Sequence, residues 1–159
     1  GIRFSGISIF SGGAPQYVDG SALALGDRMQ VDGDFTEFNG VTQLSNPAFV
    51  KLSDGAPLEP ELVDIAVFAD DATAEPYEGV LIRIASPTVT DENPDAPDDF
   101  DEFEVDGTLR VDDGAFDGLD NTYALNTQFA QLIGVVHYSF GNFKLLPRGA
   151  DDLQLPTPE

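Results

Sequence analysis

The sequence contains no cysteine, and it is poor in lysine, histidine and long apolar runs. Without cysteine the chain can form neither disulfides nor thiolate metal sites, and cysteine usage gives no indication of its redox compartment. No apolar run approaches the ~18 residues of a membrane-spanning helix, so we expect no membrane span. The first residue is not methionine and no signal-peptide pattern is present, so we expect a mature fragment or a piece of a longer protein.

The charge balance is strongly acidic. Aspartate and glutamate number 29 against 7 lysines and arginines, which gives a net charge of −22. Such a surface favours high salt or divalent cations, as in a salt-loving organism or an extracellular protein that meets calcium, although solubility alone also explains it. Proteins bind DNA through clustered basic side chains, and the five arginines are scattered in sequence. We therefore expect no tight nucleic-acid binding.

The hydrophobic pattern predicts strands throughout the chain. Hydrophobic residues make up 42% of the sequence, including 12 phenylalanines, so a core can be buried. The predicted strands cover residues 2–10, 27–38, 41–44, 49–52, 77–90, 100–113, 128–140 and 142–147. The pair Asn39-Gly40 predicts a type I′ hairpin turn. Residues 58–71 contain a proline, Pro60, and mixed spacing, so we interpret them as mostly extended or loop.

An internal repeat organises these strands. GDFTEFNGVTQL (33–44) resembles GVVHYSFGNFKLLP (134–147), and the two stretches align through Gly33/Gly134, Phe38/Phe140 and Leu44/Leu146 with one inserted residue. Each copy predicts a strand, a tight turn and a returning strand. We expect an all-β fold of tandem OB-like small β-barrels, the first lacking its opening strand, either because the sequence starts inside that unit or because the strand comes from elsewhere. The predicted boundaries are 1–70 for the first unit, 71–155 for the second and 156–159 for a linker stub.

The stretches 26–44 and 138–147, together with YEGVLIRIASPTVT (77–90) and FDEFEVDGTLRVDD (100–113), resemble the OB-fold-like domains of bacterial secreted nucleases. In those proteins such a domain precedes a catalytic domain of the endonuclease/exonuclease/phosphatase type. The resemblance covers roughly residues 5 to 153. It implies an OB-like barrel, an extracellular setting and an accessory role, with no catalytic residues in this chain. OB barrels commonly bind single strands through aromatic side chains in a basic groove, and this sequence lacks the basic part.

Two acidic loops could collect the oxygen ligands that Ca²⁺ prefers. In the loop 91–102, Asp91, Asn93, Asp95 and Glu102 have the spacing of an EF-hand loop, but Ala96 stands where that loop requires glycine. The second loop contributes Asp112, Asp117 and Asp120, with glycines that allow tight bends. These residues are the candidate metal ligands, and the alternative is that the loops are solvated and metal-free.

Aromatic side chains surround both hairpins. Tyr138, Phe140, Phe143 and Phe38 are candidates for a ligand or partner surface that stacks on bases or sugars. Strand alternation favours the other interpretation, in which they and Phe35 belong to the core.

Catalytic patterns are weak in this sequence. His137 is the only histidine, and no nucleophile elbow accompanies it, so we expect no catalysis by it. Asp32, Asp34 and Glu37 could suggest the paired carboxylates of glycoside hydrolysis, but simple alternation along a strand explains them.

Three functions follow as hypotheses. The first is a non-catalytic, calcium-stabilised accessory module of a secreted, nuclease-like protein, which contacts neighbouring domains of the same chain. The second is a structural extracellular protein, because a barrel that lacks a strand leaves an edge at which a second copy could donate one and build filaments. The tail LQLPTPE is one candidate donor. The third is a metal-dependent phosphoesterase, which only the abundance of carboxylates favours.

Overall fold

The computed structural model describes residues 3–119 and 123–157, which divide into two compact units. The hairpin unit is Ile7–Glu59, and the sheet unit combines residues 3–6 with residues 60–157. The division therefore falls after residue 59 rather than after residue 70. Residues 60–70 belong to the sheet unit because part of them pairs with its strands. The N-terminal residues join it through a hydrogen bond of 2.6 Å from the Phe4 amide to the Pro76 carbonyl.

The hairpin unit contains three strands, β1 (Ser8–Phe10), β2 (Arg28–Phe38) and β3 (Val41–Ser53). Their order is β1-β3-β2, with β1 parallel and β2 antiparallel to β3. Asn39 and Gly40 have φ of 52° and 87°, which confirms the predicted type I′ turn. The predicted strands 41–44 and 49–52 are one continuous strand, whose pairing with β2 shifts register twice, between Arg28 and Met29 and between Asp32 and Asp34.

The core of the hairpin unit is small. Its buried hydrophobic residues are Tyr17, Val41 and Phe49. The Tyr17 hydroxyl donates a hydrogen bond of 2.7 Å to Asp27, whose other oxygen lies 2.8 Å from the Lys51 ammonium. Many larger apolar side chains of this unit are exposed instead, and the polar Tyr17–Asp27–Lys51 contacts take the place of apolar packing at its base.

The sheet unit contains eight strands. They are β4 (Glu61–Leu62), β5 (Leu81–Ala85), β6 (Val89–Asp91), β7 (Phe103–Val105), β8 (Leu109–Val111), β9 (Gln131–Ser139), β10 (Asn142–Leu146) and β11 (Leu153–Gln154). The order is β4-β5-β9-β10-β8-β7-β6, and β11 also pairs with β9. The all-β class is confirmed. The strands within the described ranges do not form a closed barrel, so tandem OB barrels stay a prediction.

Strand alternation builds the core of the sheet unit. On β5, Ile82 and Ile84 are fully buried while Arg83 between them is exposed. Burying one such side chain stabilises the fold by roughly 1.5–3 kcal/mol. Phe103 stacks on Phe129 with ring centres 5.9 Å apart, and Tyr123 meets the Phe129 ring edge-on at 4.8 Å. The core thus lies behind the central strands, and it positions the strands that carry the site described below.

Residues 58–64 are extended or loop as predicted, with β4 at Glu61–Leu62, whereas most of the rest of the stretch is helical. A 3₁₀ helix covers Ile65–Ala69, a short α-helix (α1) covers Asp71–Ala74, and a further 3₁₀ turn follows at Glu75–Tyr77. Asp64 and Asp70 cap the first two by accepting hydrogen bonds from the amides two residues onward, which is the favoured N-cap arrangement. None of the helices that the structure describes is long and apolar enough to span a membrane.

Two predicted strands are each interrupted by a turn. The stretch 77–90 breaks at Ser86, where φ is 53°, and the stretch 100–113 breaks at Asp106-Gly107, where φ is 50° and 61°. Left-handed φ values end a strand because they reverse the chain direction. The Asp-Gly pair between apolar runs is itself a hairpin signal, so this turn was present in the sequence pattern.

The internal repeat is structural, but its predicted one-residue insertion is wrong. In the second copy the two-residue turn is Phe140-Gly141, with φ of 49° and 83°, because Ser139 pairs with Asn142 across it. This turn therefore matches Asn39-Gly40, and residues 33–44 match residues 134–145 without a gap.

The glycine that opens each copy supports this register. A Cβ on Gly33 would lie 3.0 Å from the carbonyl oxygen of Ser45, and a Cβ on Gly134 would lie 2.6 Å from that of Leu146. Ser45 and Leu146 correspond in the gapless alignment. Both copies thus use glycine at the point where the returning strand approaches most closely.

Candidate ligand-binding site

A cavity of about 350 Å³ opens on the sheet unit. Charged and aromatic side chains line it, namely Asp95, Phe100, Glu102, Arg110, Asp112, Asp113, Phe140, Asn142 and Lys144. Its volume lies in the range typical of small-molecule sites. The cavity therefore combines a charged floor with two large rings, and each part is described in turn.

The cavity floor is built on the central strands of the sheet. Arg110 on β8 pairs with Lys144 on β10 in parallel register, and Lys144 in turn pairs with His137 on β9. Three basic side chain types therefore form one row across adjacent strands. Arg110 and Lys144 are like charges in neighbouring positions and repel each other, so they require carboxylates around them.

Lys144 is the buried centre of the cluster, with only 2% of the residue exposed. Its ammonium contacts Glu102 Oε1 and lies 2.9 Å from Asp112 Oδ2. Burial alone would lower the pKa of Lys144, but the hydrogen bonds to these two carboxylates outweigh it and the pKa is raised. Lys144 therefore stays charged and holds both carboxylates in place.

Arg110 connects the cluster to the acidic loop. Its Nη1 lies 2.8 Å from each carboxylate oxygen of Asp95 and 3.2 Å from Glu102 Oε2. Burial opposes the charge, but both carboxylates together raise the pKa of Arg110. Glu102 thus bridges the two cations, one through each of its oxygens. Such charge-assisted hydrogen bonds fix side-chain positions more firmly than neutral ones.

The carboxylates of the cluster have opposite pKa shifts. Burial raises the pKa of Glu102 despite its contact with Lys144. Burial also opposes ionisation of Asp112, but hydrogen bonds from Lys144 and the Gly114 amide lower its pKa overall. With Asp95, the contacting cluster has three carboxylates and two cations. The most buried carboxylate, Glu102, is therefore where an additional proton would be held.

Phe140 occupies an unusual position at the rim. It is 95% exposed, and its backbone φ of 49° lies in the left-handed region. Bulky residues rarely adopt that conformation, which costs on the order of 1–2 kcal/mol outside glycine and asparagine. Its ring centre lies 5.7 Å from the Lys144 ammonium, within cation–π range. An exposed ring at a strained position points to a role outside folding.

The predicted calcium ligands of the first loop face protein groups. Asp91 and Asn93 accept hydrogen bonds from amides two residues onward, as in Asx turns. Asp95 and Glu102 contact Arg110, whose guanidinium supplies the positive charge beside them. The structure thus brings Asp95 and Glu102 together at Arg110. Asp91 and Asn93 instead accept hydrogen bonds from backbone amides of the loop.

The second predicted loop is also dispersed. Asp112 contacts Lys144, Asp117 lies in a 3₁₀ helix (Asp117–Leu119), and Asp120 lies outside the described residues. Across residues 3–119 and 123–157, no group of three or more histidine or carboxylate side chains is arranged to hold a metal ion. Calcium binding stays a prediction for metal titration to test.

The aromatic candidates divide into two groups. Phe143 is buried and packs against the half-buried Tyr138 with ring centres 4.8 Å apart, as the core interpretation predicted. Phe140, Phe38 and Phe35 are exposed, so the core interpretation is wrong for these three. Of the four surface candidates, Phe140 is the one that lines the cavity.

His137 is half-buried on β9 outside the residues that line the cavity. Burial lowers its pKa, the nearby Asp112 raises it, and Lys144 lowers it further. His137 is therefore neutral near pH 7. No side chain in the described part of the chain forms a hydrogen bond with it, so nothing supports a catalytic role.

Sequence reasoning missed most of the cavity floor and one of its rings. Arg110, Lys144, Asn142, Asp113 and Phe100 were not identified. Lys144 offered a signal, because it stands alone among apolar residues in NFKLLP, and a single lysine in a central strand must find a carboxylate if it is buried. Its partners lie far away in sequence, on loops whose pairing no local pattern predicts.

No protein-family model matches this chain, and no curated protein or solved structure shows significant similarity to it.

Proposed function

We propose that this chain is a non-catalytic interaction module that binds a neutral, hydroxyl-rich ligand, such as a sugar unit, in the cavity of the sheet unit. The stated resemblance to OB-fold-like accessory domains supports the wider setting, a module of a secreted, nuclease-like multidomain protein. The observation that carries the proposal is Phe140, an almost fully exposed ring held in a strained turn at the cavity rim.

Aromatic rings and polar groups together suit such a ligand. Phe100 and Phe140 offer exposed faces on which the apolar side of a sugar ring can stack. Asn142 and the ion-paired groups of the floor offer donors and acceptors for hydroxyl groups. The charged groups are fixed by one another, so they present hydrogen-bonding atoms without having to reorganise when a ligand arrives.

The charge of the lining disfavours phosphate-bearing ligands. Four carboxylates line the cavity, from Asp95, Glu102, Asp112 and Asp113, whereas only Arg110 and Lys144 are cationic. Both cations already contact carboxylates. Since nucleic-acid binding depends on neutralising phosphates with free basic groups, stacking at this site favours a neutral ligand over a nucleotide.

The same ion pairs support a non-catalytic role. The opposite pKa shifts of Glu102 and Asp112 resemble an acid/base pair, which can mark a catalytic site. Both carboxylates, however, contact the Lys144 ammonium, which stabilises their charged forms and competes with any substrate proton. The arrangement is that of a structural ion cluster that shapes a binding surface.

The test is a binding screen of the purified chain against mono- and oligosaccharides, with single-stranded DNA included, by calorimetry or glycan array. The decisive variant is Phe140→Asn, because asparagine tolerates left-handed φ and occupies the matching turn position at Asn39. This variant removes the ring and relieves the turn, so it should fold at least as well. We expect its saccharide affinity to fall by roughly 5- to 150-fold, since stacking contributes about 1–3 kcal/mol per ring.

The matched control is Phe38→Ala, which removes an exposed ring beside the turn of the other hairpin. Its saccharide affinity should equal that of the unmodified chain. Binding to DNA rather than saccharides, or equal losses in both variants, would contradict the proposal. Hydrolysis of a saccharide or phosphoester by the chain would contradict its non-catalytic character.

A further inference from the structure

The repeat allows the two hairpins to be compared strand by strand. In the sheet unit, β9 is flanked on both sides, by its hairpin partner β10 and by β5. The Val136 amide donates to the Val80 carbonyl at 3.0 Å, and the Val136 carbonyl accepts from the Gly79 amide at 2.8 Å. In the gapless alignment Phe35 corresponds to Val136. Among residues 3–119 and 123–157, no strand takes the corresponding place beside β2.

The open position is the outer edge of β2. The order β1-β3-β2 places β2 at the end of its sheet. Phe38 and Val41 flank the two-residue turn and pair with each other, so the amides of alternate residues, including Val31, Gly33 and Phe35, point away from β3. No backbone hydrogen bond to this outer edge is found within the described ranges. An edge of this length is a template for strand addition.

The side chains on this edge also lack a cover. Val136 is fully buried beneath the strands of the sheet unit, whereas Phe35 at the matching position is 68% exposed. Leu132 is likewise fully buried, whereas Val31 at its matching position is only half-buried. An added strand with apolar residues at alternate positions would cover Val31 and Phe35 as β5 covers their counterparts.

The other side of β2 specifies the charge of such a strand. Asp32 and Asp34 stand where the sheet unit has Ile133 and Val135, which pair with Arg83 and Leu81 of β5. Both aspartates are exposed, and both accept hydrogen bonds from neutral amide side chains, Asp32 from Gln30 and Asp34 from Asn46. The hairpin unit carries seven acidic residues and two basic ones. Opposite charges directly across a strand pair stabilise it, so the complement is basic.

We infer that the outer edge of β2 binds an extended segment of another polypeptide by strand addition, antiparallel to β2. That segment alternates apolar residues, which cover Val31 and Phe35, with basic residues, which lie opposite Asp32 and Asp34. A second copy of this chain fits less well because its net charge is −22 and it has only seven basic residues. No residue of β2 lines the cavity, so this inference does not depend on the proposed function.

The probe is a synthetic peptide with the sequence of residues 79–86, GVLIRIAS, changed by Leu81→Arg so that arginine lies opposite both aspartates. The control peptide carries Leu81→Glu and Arg83→Glu. Binding to the full chain is measured by titration, and its location by amide hydrogen exchange. We expect slowed exchange at Val31, Gly33 and Phe35, and roughly tenfold weaker binding of the control peptide, from two like-charge pairs.

A charge exchange in the protein completes the test. The variant Asp32→Lys/Asp34→Lys should prefer the glutamate peptide, whereas Asp54→Lys/Glu59→Lys, with the same change in net charge away from β2, should keep the original preference. Absence of protection on β2 at millimolar peptide, or equal affinity for both peptides, overturns the inference. Concentration-dependent self-association that protects the same amides without peptide also overturns it, because the occupant would then be a second copy.

Discussion

The buried charge of Lys144 gives the sharpest stability prediction. The substitution Lys144→Met keeps a similar volume but removes the ammonium that contacts Glu102 and Asp112. The side chain of Glu102 is only 5% exposed, so little water can replace this contact. Removing one partner of a buried pair costs about 3–5 kcal/mol. Since Glu102 keeps its contact with Arg110, we expect a loss near the lower end, about 3 kcal/mol.

The assay is urea unfolding followed by circular dichroism, because urea leaves ionic strength unchanged. A loss of about 3 kcal/mol corresponds to a fall in Tm of roughly 6–12 °C for a chain of this size. The matched control is Lys51→Met, the other lysine, whose side chain is 38% exposed although that of its partner Asp27 is only 4% exposed. Its effect should be smaller than that of Lys144→Met, because water reaches the Lys51 side chain and because Asp27 keeps its hydrogen bonds from the Tyr17 hydroxyl and the Ala24 amide.

The pH dependence gives a second readout for the same variant. Burial already raises the pKa of Glu102, and removing Lys144 raises it further. A carboxyl with a raised native pKa stabilises the folded state more as pH falls, because the folded state binds the proton more tightly. The difference in the free energy of unfolding between Lys144→Met and the unmodified chain should therefore shrink from pH 7 towards pH 4. Equal losses for both lysine variants, or a difference that grows in acid, would refute the ion-cluster reasoning.

Three further predictions address the rest of the sheet unit. The native pKa of His137, measured by NMR titration, should lie below 6.5 because burial disfavours the imidazolium. The unfolded state then binds the proton more tightly, so the free energy of unfolding should fall as pH falls below 6.5. A native value at or above 6.5 would contradict its placement. Gly134→Ala should cost about 1–3 kcal/mol, because its Cβ would meet the Leu146 carbonyl at 2.6 Å, whereas Gly149→Ala, in open space, should be neutral. Phe140→Asn should raise the free energy of unfolding by up to about 1 kcal/mol, because asparagine tolerates the left-handed backbone conformation better than phenylalanine. A lower free energy of unfolding would contradict the argument that the turn is strained.

Local patterns predicted the local structure well. Alternation identified the regions that form β2, β5 and β9, and Asn39-Gly40 gave the turn with its positive φ values. The pattern failed where it was interrupted by turn chemistry. Asp106-Gly107 was included in a strand, and the capping residues Asp64 and Asp70 began helical turns in a stretch interpreted as extended or loop.

The repeat was recognised but misaligned for a physical reason. Phe38 and Phe140 were matched because both are aromatic and adjoin glycine or asparagine. The turn geometry instead matches Phe140 with Asn39, since both have left-handed φ. Such turns favour asparagine or glycine at that position. An alignment guided by this preference therefore places Phe140 outside the turn. The departure from this preference also marks the residue as a candidate for function.

The site could be predicted only in part, because its members come from distant segments. The sequence identified Asp95 and Glu102 in one acidic loop, and Asp112 in another, as candidate calcium ligands. Their partners, Arg110 and Lys144, are supplied by the pairing of β8 with β10, which is parallel and joins strands remote in sequence. Such pairing is not encoded in the period of either strand, so the cation opposite the carboxylates could not be anticipated.

The measurement that tests the central claim most directly is an NMR titration of the chain with a panel of neutral oligosaccharides, followed residue by residue. The account predicts saturable shifts confined to the cavity lining, with the largest at Phe140, Phe100 and Asn142, and their loss in Phe140→Asn. Shifts that map elsewhere on the chain, or no shifts at millimolar saccharide, would contradict the assignment of this cavity as a ligand-binding site.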